Sequence, residues 1–98
     1  MNMSEFLQDI LEELKPRLEE ASFDGSAKLA IEDEGAIVFT SDSAEISDAD
    51  ADVTMSTDAD TVRAMFNKEL DPTAAFMSGK LAIDGDMGLA MQLAAVLG

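Results

Sequence analysis

Phe6, Leu7, Ile10, Leu11, Leu14 and Leu18 recur at helical spacing near the start of the chain, with Glu5, Asp9, Glu12 and Glu13 largely on the opposite face. The pattern predicts an amphipathic helix from Ser4 to about Leu18. Ser4 suits the N-cap, and the early acids suit the positive end of the helix dipole. Pro16 falls inside the pattern, where it removes a backbone hydrogen bond and crowds the preceding turn, so a kink or break is expected there.

The period then shortens to two. After a turn at Phe23-Asp24-Gly25, Ala27, Leu29 and Ile31 alternate with Ser26, Lys28 and Ala30, the mark of a strand with one buried face. Glu32 to Gly35 closes a hairpin onto a returning strand, Ala36 to Thr40. A weaker strand, Ser43 to Ser47, has the thin apolar content and charge of a sheet edge. An acidic turn, Asp48 to Asp52, leads to a fourth strand, Val53 to Ser56. Thr57 and Asp60 read as a capping box for a helix from Asp58 to about Lys68, with Val62, Met65, Phe66 and Leu70 on its apolar side. Asp71-Pro72 supplies a capping carboxylate and a proline at the first helical position, so Pro72 to Met77 is a short helix, stopped by Gly79. Lys80 to Asp84 is a fifth strand, and Gly85-Asp86 turns it into a last helix. This order predicts one α+β domain over residues 1–98, a five-stranded, mainly antiparallel sheet with helices gathered over one face.

The last helix carries more apolar surface than a sheet can cover. At about 100° per residue, Val96, Leu89, Leu93, Leu97, Ala90, Ala94, Met87 and Met91 sweep roughly 220° of the wheel, leaving Gly88, Gln92 and Ala95 for water. A surface helix needs an apolar stripe of little more than about 100°. The second side therefore requires another helix, a partner protein, a membrane, or an apolar ligand held in a cavity. Met55, Met65, Met77, Met87 and Met91 all fall in the second half of the chain, and methionine adapts to irregular apolar shapes. Ordinary core filling accounts for them less well because of that wide arc.

Composition removes most other chemistries. No cysteine and no histidine are present, which excludes disulfides, thiol chemistry, soft-metal sites and histidine-based acid–base catalysis. The formal charge of −15, from 21 acidic and 6 basic residues, repels phosphate backbones and anionic head groups, so nucleic-acid binding is not expected. Such a surface is either a solvated shell or an adaptation to high salt. No apolar run reaches the roughly 18 residues of a membrane span, and neither end carries a targeting signal. A soluble, cytoplasmic monomer with no stable membrane insertion is expected.

Individual motifs do not rise to sites. Asp48-Ala49-Asp50-Ala51-Asp52 starts like a calcium loop, but Val53 stands where glycine is needed and Ala59 where a bidentate glutamate is needed. Gly79-Lys80 lacks the rest of a phosphate loop. Asp42-Ser43 is similar to the prosthetic-group site of acyl carrier proteins, but it lies in strand-like rather than helical sequence. No metal and no cofactor are expected.

Two blocks carry a family resemblance. Asp52-Val53-Thr54-Met55-Ser56, and the continuous run from Asp71-Pro72-Thr73-Ala74-Ala75-Phe76-Met77-Ser78-Gly79-Lys80 through Leu81-Ala82-Ile83-Asp84-Gly85-Asp86-Met87-Gly88-Leu89-Ala90-Met91, resemble the sterol carrier protein 2 family of small lipid-transfer domains. The element order matches over essentially the whole chain. The resemblance implies an apolar tunnel between sheet and helices, lined in part by the last helix, for fatty acyl chains or sterols. The chain departs from the family in its acidity and in Gln92, where relatives often carry lysine, which argues against an anionic head group such as coenzyme A. The peroxisomal tail of eukaryotic members is absent, pointing to a prokaryotic member.

Strand parity and the wheel then place Phe39, Met55, Met65, Phe66, Phe76, Ile83, Met87, Met91 and Ala94 in the lining, with Gln92 at the mouth to bond a head group. The expected function is noncatalytic binding, and transfer, of long-chain lipids. The alternative is an interaction module that docks its apolar C-terminal helix on a lipid-metabolising enzyme.

Overall fold

The alternation of Ala27, Leu29 and Ile31 is realised as a strand with all three side chains buried, β1 (Ala27–Ile31). A computed structural model describes the backbone of residues 3–20, 25–40 and 42–97, and side chains from 5 to 94 within those ranges. The turn expected at Phe23-Asp24 and the side chains of Val96 and Leu97 lie outside the described residues. Around β1 the chain forms α1 (Met3–Glu20), β2 (Gly35–Phe39), β3 (Ala44–Ile46), β4 (Val53–Thr57), α2 (Ala59–Phe66), α3 (Pro72–Met77), β5 (Ala82–Gly85) and α4 (Met87–Leu97). The architecture is the expected α+β, five-stranded, mainly antiparallel one.

The strands are ordered β3-β2-β1-β4-β5, and the pairs are antiparallel except for β1 with β4. Register places Ile46, Ile37, Leu29, Met55 and Ile83 in one row across the helix-covered face. α1 lies over the β2 and β3 end of that row, α4 lies over β4 and β5, and the two helices touch. Leu7, Ile10, Leu11, Leu14 and Leu18 bury the inner face of α1 as the periodicity requires.

The acidic run before β4 does more than turn. β3 finishes beside the hairpin end of β2, where the Ser47 N–H donates to the Ala36 carbonyl, whereas β4 starts level with Ala27. Residues 47–52 must therefore cross three inter-strand gaps of about 4.8 Å while running about 10 Å along the strands, roughly 18 Å in all, within the ~20 Å reach of six extended residues. They cross on the face opposite the helices, where Lys28 Nζ lies 3.4 Å from Asp48 Oδ1 and also donates to the Asp48 carbonyl. Asp52 Oδ2 accepts the Ser26 N–H at 3.0 Å and completes the strap.

Five local expectations are corrected. α1 runs without a break past Pro16, which is exposed, so the carbonyl it leaves without a partner faces water. Ser4 is already inside α1 rather than at its cap. Thr57 does not cap α2: it extends β4 beside Ile31, and its hydroxyl donates to the Lys80 carbonyl at 2.9 Å. The cap passes to Asp58, whose Oδ1 accepts the Thr61 N–H at 2.7 Å, and α2 ends at Phe66, short of Lys68. Asp71 occupies the N-cap of α3 but accepts no capping bond, because Pro72 removes the first donor and pre-sets the backbone itself.

Candidate functional site

Gly85 and Asp86 determine where α4 lies. Gly85 has a φ of +113° and pairs with Val53 at the end of the β4–β5 ladder. The Asp86 N–H donates to the Asp52 carbonyl at 3.2 Å, and its Oδ1 accepts the Leu89 N–H at 3.1 Å, capping the new helix. So anchored, α4 buries Leu89, Ala90 and Leu93. Met91 is left 77% exposed, Met87 48% exposed, and Gln92 points outward. On α3, Pro72 and Ala75 are buried, while Phe76 is 41% and Met77 80% exposed.

Between these helices and the β5 side of the sheet lies a cavity of about 280 Å³. Its sheet side is Met55 from β4, Ile83 from β5 and Leu81 just before β5. α3 contributes Pro72, Thr73 and Phe76, and α4 contributes Met87, Ala90, Met91 and Ala94. Met55, Leu81 and Ala90, all buried, form the deep end, and the exposed Phe76, Met87 and Met91 form the mouth. Among the described lining residues Thr73 supplies the one polar side chain, and none is charged. Such a space can hold hydrocarbon but offers no acid, base or nucleophile beyond a threonine hydroxyl.

Of the residues singled out in the sequence, the structure brings Met55, Phe76, Ile83, Met87, Met91 and Ala94 together around this cavity. It does not bring Phe39, Met65, Phe66 or Gln92 there. Phe39 sits in the core beside Ala27 and Ala44, toward the α1 end of the sheet. Met65 and Phe66 anchor α2 in the core, with the Arg17 guanidinium 4.7 Å above the Phe66 ring. Gln92 is exposed on the outer side of α4. Pro72, Thr73, Leu81 and Ala90 also line the cavity and fall outside the set expected from the sequence. A signal was present for two of them, since Pro72 and Ala90 each stand four residues before an expected residue, Phe76 and Ala94, on the same helix face.

Among the described residues, the one titratable group with a clear shift lies elsewhere. Asp58, on the opposite face, is held below its ordinary value by hydrogen bonding from the Thr61 side chain and backbone, with Lys80 adding a smaller attraction. Among the described residues, no group of three or more acids is placed to hold a metal ion, and no helix is long and apolar enough to cross a membrane.

The model of the SCP-2 sterol transfer family matches residues 5–98. The chain belongs to this family. Its fold is similar to that of Sterol Carrier Protein 2 Like 2 from Aedes aegypti, with a TM-score of 0.77 at 22% identity over 95% of this chain and 97% of that one. It is also similar to Sterol Carrier Protein-2 from Aedes aegypti in complex with the C16 fatty acid palmitate, with a TM-score of 0.76 at 19% identity over 92% of each chain. Among curated proteins, Hydroxysteroid dehydrogenase-like protein 2 of Xenopus tropicalis is 56% identical over 48 residues. That match covers 49% of this chain but only 12% of the longer relative.

Proposed function

We propose that this domain binds long-chain lipids without catalysing their reaction, holding the hydrocarbon in the α3–α4 cavity and releasing it intact. The observation that carries the reading is an apolar, charge-free cavity whose mouth consists of exposed Phe76, Met87 and Met91. Family membership supports it, as does the likeness in fold to a protein solved with palmitate. Met55, Phe76, Ile83, Met87, Met91 and Ala94 are the proposed contacts.

Size and energy are consistent with this. A cavity of ~150 Å³ accepts a benzene ring, so this one has room for roughly eleven carbon-sized atoms. Ten methylenes at about 0.8 kcal/mol each give about 8 kcal/mol before association costs, so micromolar binding, which needs about 8 kcal/mol net, calls for burial of a longer chain. Longer chains require the mouth to open, and Met87 and Met91 are flexible side chains suited to repacking over them. The domain is proposed to act as a cytoplasmic monomer that passes its lipid to an enzyme or membrane.

Native mass spectrometry of protein isolated from its own host tests the reading. Copurifying lipid, with affinity for added alkyl chains that rises with chain length, is the expected result. A ligand-free protein that takes up no alkyl chain would overturn it. One second reading has its own support: 80% exposure of Met77 and 77% of Met91, beside the partial match to a longer dehydrogenase-like protein, suits a docking module. In that case α3 and α4 contact an enzyme and the cavity stays empty.

A further inference from the structure

The charges around the cavity are arranged unevenly. The chain carries 6 basic residues, and none lines the cavity. Arg17 and Arg63 lie over the Phe66 and Phe6 rings, and Lys28 is paired with Asp48 across the opposite face. Lys80 adjoins the lining in sequence, yet it borders the trough on that opposite face together with Asp58, whose ionised form it stabilises. Neither α3 nor α4 contains a charged residue of either sign.

Beside this neutral lining stand carboxylates. Asp71 and Asp86 stand at the amino ends of α3 and α4, next to the lining residues Pro72 and Met87, whereas Asp84 pairs with Thr54 in the row of Lys28 and belongs to the opposite face of the sheet. The amino end of α4 would otherwise attract an anion, since its first N–H groups have no partner within the helix. Asp86 already occupies that position through its bond from the Leu89 N–H. A head group leaving the cavity therefore meets no cation in its lining and no open terminus on α4, on a protein whose formal charge is −15.

We propose that the cavity selects lipids whose polar end is uncharged, such as an alcohol or ester, over lipids that end in a carboxylate or phosphate. The inference rests on the lipid-binding reading above. Hydrocarbon burial is the same for both classes, so discrimination comes from like-charge repulsion at the rim, which salt screens. Thr73, the polar side chain of the lining, is the group available to a hydroxyl or carbonyl that enters.

The experiment displaces an uncharged fluorescent alkyl probe with dodecanol and with dodecanoate, which share one chain length. At about pH 8 the carboxylate is fully ionised. Dodecanol should bind roughly ten-fold more tightly at about 0.02 M salt, and the ratio should fall to within about three-fold at about 0.5 M as the Debye length contracts. The variant Asp71→Asn, at an exposed position beside Pro72, should narrow the low-salt ratio while leaving dodecanol affinity unchanged. Equal affinities at low salt, or a ratio indifferent to salt and to this variant, would overturn the selectivity while leaving lipid binding intact. Displacement of the probe by neither ligand would overturn both.

Discussion

A β-carbon on Gly85 would stand 2.5 Å from the Asp52 carbonyl oxygen, so the chain enters α4 past a point of backbone contact that admits only hydrogen. The same carbonyl accepts the Asp86 N–H. The cavity wall formed by α4 thus depends on an approach between residues 33 positions apart, made where Gly85 takes a φ of +113°.

Replacing Gly85 with alanine is therefore expected to act on fold and site together. The left-handed conformation costs about 1–2 kcal/mol for an L-residue and the overlap with Asp52 adds to it, so a total loss of about 3 kcal/mol is expected. Urea melts of Gly85→Ala check the figure. A loss under about 0.5 kcal/mol, the range of ordinary surface changes, would show that the contact is not a constraint.

Cavity and solid core can be told apart with tryptophan. Ala94 is half-buried and lines the cavity, so Ala94→Trp should cost under about 1 kcal/mol of stability while reducing alkyl-chain affinity at least about ten-fold by filling the space. Ala27 is fully buried in the core between Phe39 and Val53, and Ala27→Trp should cost about 3 kcal/mol or more. Denaturant melts with a titration of the same variants measure both quantities, and equal destabilisation at the two positions would favour a filled core at Ala94.

Asp58 contributes a pH-dependent term to stability. Its carboxyl titrates lower in the folded chain, chiefly through Thr61, than its unfolded value of about 3.9. A depressed acid gives its full contribution above the unfolded value and loses it as pH falls through the folded one, so the effect is confined to acid below about pH 5. Asp58→Ala should cost about 1 kcal/mol near neutrality through loss of the α2 cap. Asp58→Asn should retain most of the cap and lose the acid dependence, which melts at about pH 3 and 7 would reveal.

Net charge should appear in the salt response. With −15 spread over 98 residues, mutual repulsion opposes the compact state, and screening removes most of it once the Debye length falls below about 5 Å. The melting temperature is expected to rise between about 0.01 and 0.5 M KCl and then to level off. A continued steep climb through molar KCl would identify the acidity as adaptation to a salty interior rather than a solvated shell.

The chain's local patterns specified the elements and their sequence. The periods of 3.6 and two identify α1, α4 and the strands because each element must bury one face, and the face is written in consecutive residues. The excess arc of α4 already required a second apolar surface beyond the sheet. Gly85-Asp86 already marked the entry to that helix, and the absence of charge from Met87 to Gly98 was plain in the letters.

The tertiary structure decided what depends on residues distant in the chain. Parallel pairing of β1 with β4 and the passage of residues 47–52 across the opposite face are set by strand order, which no local period encodes. Thr57 resembles a cap in its local sequence because the ladder partner that draws it into β4, Ile31, lies 26 residues away. Phe39 and Ile83 show the same limit at the site. Both alternate onto the helix-covered face, but Phe39 falls toward α1 in filled core and Ile83 falls under α3 and α4, where space remains. A period of two tells which face a side chain joins, and only the packing of helices over that face determines whether it meets a neighbour or a cavity.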